Sequence, residues 1–331
     1  DPNLNRKLHG GKHPVRVQKL LVLILALALL GACGLAPAAP AEPETLRVAL
    51  LPILDTLPFH VAQQNGYFQE LGLQVEGVAV KSAQERDTLL QTGQADAMVS
   101  DLIAAAVFNQ HGAQIKAVRT ARAVYPGAPQ FRLLVRPGSS LTSPADLAGV
   151  QVAVSQNTVI EYITHRMLER AGLSGDQIAV QEVTAIPVRF ELLLNGEIEA
   201  ATLPDPLGSG AMAAGAVLLM DDTAIPDLSL SIVAFSVESL ESQPEAVRRF
   251  LRAWSKAVDE LNSNPDAYNA LLVEVGRVPE SIRGSFQMPP FPEDGVPAAE
   301  QVADAVQWAR EAGLIENDVP YEEIVDDRFL P

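Results

Sequence analysis

From residue 46 onward, short apolar runs alternate with segments whose apolar positions recur at helical spacing. The runs at 46–51, 74–80, 95–99, 115–121 and 131–135 read as strands. Between them, 59–70, 83–92 and 102–111 read as helices, and Ser82 followed by Glu85 forms a capping-box signature ahead of the second. An Arg-Pro-Gly-Ser-Ser break at 136–140 interrupts the pattern. Strands at 151–154, 178–183, 200–203 and 217–220 then alternate with helices at 158–171, 188–194 and 207–215. After a last strand at 229–236 the pattern turns helical, over 244–263, 266–275, 280–286 and 298–312, with proline at or near each start. Such alternation predicts an α/β protein with mainly parallel sheets covered on both faces. The helical C-terminal run holds no strands for a further α/β lobe, so it is expected to pack on the first part of the chain.

The first 32 residues have a different character. Arg6, Lys7, Lys12, Arg16 and Lys19 precede an unbroken apolar run at 20–30. That run is too short for a bilayer-spanning helix, which needs about 20 residues, and fits the h-region of an export signal. Leu30-Gly31-Ala32-Cys33 follows, and Cys33 is the only cysteine. Small residues before a cysteine at the end of an h-region resemble a bacterial lipobox, so Cys33 is the expected lipidation site and membrane anchor. A lone cysteine forms no intrachain disulfide and no cysteine-based metal cluster. Residues 34–45 are rich in alanine and proline and read as a semi-rigid tether.

Net charge is −17 over 331 residues. Without residues 1–32 the chain carries 19 basic and 40 acidic residues, a surface that repels nucleic acid. The sequence holds no G-x-S-x-G, P-loop or G-x-G-x-x-G, and its five histidines show no metal-ligand spacing. Neither an enzymatic activity, a metal nor a cofactor is expected.

Ligands of open α/β sheets sit beyond the carboxyl ends of strands, near helix starts. Four such ends carry short polar side chains: 52–59, Ser100-Asp101, 155–158 and 204–206. The stretches 46–68, 93–100, 146–158, 194–206 and 311–331 resemble, in order and spacing, solute-binding proteins of importers for nitrate, sulfonates, taurine and thiamine-pyrimidine precursors. The resemblance implies a type II periplasmic-binding fold of two lobes. Its two crossings fall near 136–139 and 228–230, with 46–136 plus 229–331 as lobe 1 and 139–228 as lobe 2. It further implies a monomer outside the cytoplasm that passes a small molecule to an ABC permease and its ATPase.

Carried over position by position, the resemblance places Asp55, Thr56, Leu57, Ser100 and Asp101 on the first-lobe wall of the cleft. Ser155, Asn157, Thr158 and Asp205 fall on the second. Other roles stand beside these. Asn157, Thr158 and Asp101 each suit a helix cap, and Asp205 between two prolines suits a turn. Asp55 has the weakest structural reason to be where it is and is the leading ligand candidate. Three acids and no Lys or Arg in the four loops favour a cationic or amine-bearing heterocycle over an oxyanion, unless Arg119, Arg122 or Arg189 reaches in. Tyr125, Phe131 and Tyr162 are candidates to stack on a planar ligand, with packing as the plainer reading.

Overall fold

The computed structural model describes residues 45–331. The expected export segment, Cys33 and almost all of the expected tether lie outside the described residues. The strands are β1 (Thr45–Leu50), β2 (Gln74–Ala79), β3 (Ala97–Ser100), β4 (Ile115–Ala123), β5 (Phe131–Val135), β6 (Gln151–Val154), β7 (Ala179–Glu182), β8 (Ala200–Pro204), β9 (Val217–Asp221) and β10 (Leu230–Ser236). The helices are α1 (Leu57–Gln64), α2 (Tyr67–Glu70), α3 (Ala83–Gln91), α4 (Leu102–Asn109), α5 (Val159–Arg170), α6 (Ile186–Leu194), α7 (Leu207–Ala213), α8 (Val237–Ser242), α9 (Pro244–Ser263), α10 (Asn269–Val275), α11 (Ala299–Glu311) and α12 (Tyr321–Ile324).

The strands form two five-stranded sheets, ordered β2-β1-β3-β10-β4 and β7-β6-β8-β5-β9. In the first, β1 pairs in parallel with β2 and β3, while β10 runs antiparallel to β3 and β4. The second repeats the scheme, with β6 parallel to β7 and β8, and β5 antiparallel to β8 and β9. Each sheet is therefore mixed rather than mainly parallel. The cause is topological: β5 and β10 each enter their sheet from the other one and run against their neighbours.

This corrects the expected boundary near residue 136. Phe131–Val135 was expected with the first lobe, yet β5 hydrogen-bonds to β8 and β9 in the second sheet. The chain crosses at 124–130, where Gly127 adopts a positive φ of 77°. The Pro137-Gly138 break is only the turn after β5. The return crossing runs through 225–229. Asp222 ties the two crossings together: it accepts from the Gln130 backbone N–H at 3.0 Å and from Ser229 Oγ at 2.6 Å. Burial pushes its carboxyl up to about 6, against the pull of these donors and of Arg122.

Side chains alternate across each strand as the period of two requires. On β10, Val233 and Phe235 enter a core with α1 and α9, while Ile232 and Ala234 enter another with α4 and α11. That second core also takes in Leu133 and Val135 of β5 and Ile163 and Met167 of α5, so it is continuous between the sheets. On α9, Val247, Phe250, Leu251, Trp254, Val258 and Leu261 form one buried stripe that packs on α1. Helix α11 packs on α4 and also reaches α5. Asp304 accepts from Tyr162 Oη at 2.7 Å and from Arg166 Nε at 2.9 Å.

Two expected helices are broken or reduced to a turn. The segment at 59–70 breaks at Gly66, whose φ of 74° suits glycine and ends the helix. Of 280–286 only the 3₁₀ turn Glu280–Ile282 forms, ahead of Gly284.

Candidate functional site

The carboxyl ends of β3, β6 and β8 meet at a cleft of about 840 Å³ between the two sheets. Asp55, Ser100, Asp101, Ser155, Asn157, Thr158 and Asp205 all line it. Thr56 and Leu57 do not, which corrects their expected place on its wall. Both are fully buried: Thr56 Oγ1 donates to the Ile53 carbonyl at 2.8 Å, and Leu57 belongs to the core under α1. A wider groove of about 990 Å³ runs along α11 and residues 315–321. Among the described residues it holds no buried side-chain polar atom lacking a partner, whereas the cleft holds several.

Each of the three acids expected in the cleft meets an arginine from elsewhere in the chain; Asp87, paired with Arg86 at 2.7 Å, and Glu182, which accepts from the Thr184 hydroxyl, line the cleft as well. Asp55 Oδ1 lies 3.5 Å from Arg122 Nη1, which rises from the end of β4. Asp101 caps α4 by accepting the Ala104 N–H at 2.9 Å, and its other oxygen lies 3.7 Å from Arg86 Nη2. Burial pushes the Asp101 carboxyl up while Arg86 pulls it back. Asp205 receives two parallel bonds of 2.9 Å from Arg132 Nε and Nη2, plus the Ser209 N–H at 2.8 Å. Fork-to-carboxylate pairing of this kind is the strong form of an ion pair. Asp55, Asp101 and Asp205 by themselves therefore give no preference for a cationic cargo, because each has an arginine beside it.

The second-sheet wall is organised by the start of α5. Thr158 Oγ1 caps it by accepting the Ile160 N–H at 3.2 Å and donates to the Ser155 carbonyl at 2.7 Å. Asn157 sits at a φ of 60°, a left-handed conformation that asparagine tolerates, and its N–H donates to Glu161 at 2.6 Å. Ser155 Oγ donates to the Thr184 carbonyl and accepts from Arg189 Nη1, both at 3.0 Å.

The first-sheet wall carries groups that sequence reasoning missed. On adjacent strands, Ser231 of β10 stands opposite Arg122 of β4, and Ile232 stands opposite Ser100 of β3. Ser100 Oγ, Ser231 Oγ and Arg122 Nε are buried without a hydrogen-bond partner. Ser231 could have been found from its place at the start of the strand returning to the first sheet. Arg86 has no local cue: it enters from α3 as a buried guanidinium in a helix that reads as surface. Phe131 lines the cleft, but Tyr162 does not; it is 2% exposed and packs edge-on against Trp308 with centroids 5.5 Å apart.

Asp55→Asn separates the two accounts of the first-sheet wall. Asp55 draws on the charge of Arg122, so its neutralisation is expected to tighten an anionic or carbonyl-bearing cargo by about two- to tenfold, at about 1.4 kcal/mol per decade. A tenfold loss in calorimetric titration would instead place a cargo amine on Asp55.

A family model described as NMT1/THI5 like matches residues 54–268. The formylaminopyrimidine-binding protein of Halalkalibacterium halodurans is 27% identical, over 77% of this chain and 78% of its own length. The riboflavin-binding protein RibY of Chloroflexus aurantiacus is 24% identical, over 96% and 99%. Among solved structures, the periplasmic aliphatic sulphonate binding protein SsuA of Escherichia coli superposes with a TM-score of 0.72 at 20% identity, covering 86% of this chain and 92% of that one. That likeness shows a shared periplasmic-binding-protein fold. The family model spans most of both sheets and the cleft between them, and the chain belongs to the NMT1/THI5-like family.

Proposed function

We propose that this chain is an extracytoplasmic solute-binding protein that closes on a small, acceptor-rich polar molecule and passes it to an ABC permease and its ATPase. One observation carries the reading. A cleft of about 840 Å³ holds two serine hydroxyls and a guanidinium N–H that are buried and unpartnered. A buried donor left unmade costs about 1–3 kcal/mol, and a cargo with carbonyl or oxyanion oxygens relieves that cost. The volume suits a ligand of vitamin or drug size. The relatives named for binding formylaminopyrimidine and riboflavin, and the sulphonate-binding neighbour, support a cargo-carrying role.

Closure follows from the two crossings. Cargo touching both walls favours the closed arrangement, because only contacts made by both lobes shift the population. The buried, unpaired donors on the cleft wall support binding as the use of this site. The protein is held at the membrane through a diacylglyceryl group on Cys33, where two acyl chains give stable anchoring.

A thermal-shift screen of small anions, amines and vitamin precursors tests the binding role. At least one acceptor-rich compound should raise the melting temperature, and a response to amines alone would overturn the cargo class. Palmitate labelling in cells tests the anchor: wild type should be labelled and Cys33→Ala should not.

A further inference from the structure

Arg189 lies in the first turn of α6 and has no solvent exposure. Its Nη1 donates to Ser155 Oγ and to the Val183 carbonyl, both at 3.0 Å. Its Nε and Nη2 have no partner. No carboxylate offsets its charge, and burial alone lowers its pKa to about 9. Glu161 and Glu182, the acids of the adjoining segments, accept from the Asn157 N–H at 2.6 Å and the Thr184 hydroxyl at 2.9 Å, and neither is paired with Arg189.

The helices do not compensate it. Arg189 occupies the N-terminal turn of α6 and points at the residues leading into α5, and both helix starts carry partial positive charge. A fully buried cation without a counter-charge is costly to fold. The one group through which it meets the cleft is the Ser155 hydroxyl. That oxygen accepts from Arg189, so its single proton is free to turn from the Thr184 carbonyl toward a cargo atom.

We propose that Arg189 is a positioning residue that makes the second-sheet wall select an anionic oxygen group of the cargo, acting through the Ser155 hydroxyl. This rests on the solute-binding reading and narrows it. The negative group sits beside Ser155 and accepts its proton in a hydrogen bond. Arg189 holds the hydroxyl and supplies the counter-charge from behind.

The test uses matched pairs of similar shape at constant ionic strength and pH 7: acetate with acetamide, benzoate with benzamide, benzenesulfonate with benzenesulfonamide. Each is titrated by calorimetry into wild type, Arg189→Met, Arg189→Lys and Ser155→Ala. Wild type should bind at least one anion tenfold or more tighter than its uncharged mate. Arg189→Met should bring that ratio close to one while leaving the uncharged member within about twofold, and Arg189→Lys should retain part of it. A purely structural role would weaken both members equally and leave the ratio intact. If Arg189→Met does not fold, Ser155→Ala decides, since it cuts the same path and should also collapse the ratio. A wild-type ratio of one or less, a ratio unchanged in the variants, or no binding of any pair overturns the proposal. Binding of uncharged members alone does so while leaving the solute-binding reading standing.

Discussion

Arg132→Ala should cost about 3–5 kcal/mol of stability, the size expected when one partner of a buried ion pair is removed. Arg132 and Asp205 have side chains 14% and 5% exposed, and both bonds between them measure 2.9 Å. The truncation leaves the Asp205 carboxylate buried with only the Ser209 N–H and hydroxyl as donors. It also empties space beside Gly208, where an added Cβ would come within 2.9 Å of Arg132 Cδ. The pair joins neighbouring strands β5 and β8 at the cleft end of the second sheet, so the damage should spread to the cleft wall. Urea denaturation measures the loss. The double change Arg132→Met with Asp205→Asn should be milder, because the buried Asp205 charge goes with its partner and only the more exposed Asp221, 3.9 Å from Arg132 Nη1, loses a cation. A loss below about 1 kcal/mol for Arg132→Ala would show that the pair does not hold the wall.

Arg122→Met should have the largest effect on cargo. Arg122 is 2% exposed, its Nε is unpartnered, and it stands between Asp55 and Ser231 on the first-sheet wall. A hydrogen bond from a charged donor contributes about 1.5–3 kcal/mol, or roughly ten- to a hundredfold in affinity. The substitution also leaves Asp55 facing the cargo without its cation, which adds repulsion toward an acceptor. A fall of about a hundredfold or more is therefore expected in calorimetric titration. Arg122→Lys should recover only part of it, since an ammonium lacks the planar fork. Unchanged affinity in Arg122→Met would move the cargo away from the first-sheet wall.

Much of the fold could be read along the chain because local rules govern it. The β5 and β6 boundaries follow from their apolar runs, and α9 follows from Pro244 and its buried stripe. Partnership between strands is not local. The Pro137-Gly138 turn carries stronger linker chemistry than the true crossing at 124–130, so β5 was expected in the wrong sheet. The site was legible in the same partial way. Loops at the strand ends do gather at one cleft, because the carboxyl ends of parallel strands face the same direction. Thr56 failed because its hydroxyl turns back to the backbone of its own loop. Charge balance failed because Arg122 is 67 positions from Asp55, and Arg132 is 73 from Asp205. Side-chain pairs at such separations leave no pattern in a single sequence, and they take these acids out of the charge argument for a cationic cargo.

The most direct test of the central claim is native mass spectrometry of the protein after incubation with a bacterial small-molecule extract and buffer exchange. A solute-binding protein with this cleft should carry one additional small mass at a one-to-one ratio, and Arg122→Met should carry none. A folded wild-type protein that emerges without any bound molecule, at every extract concentration tried, would contradict the account.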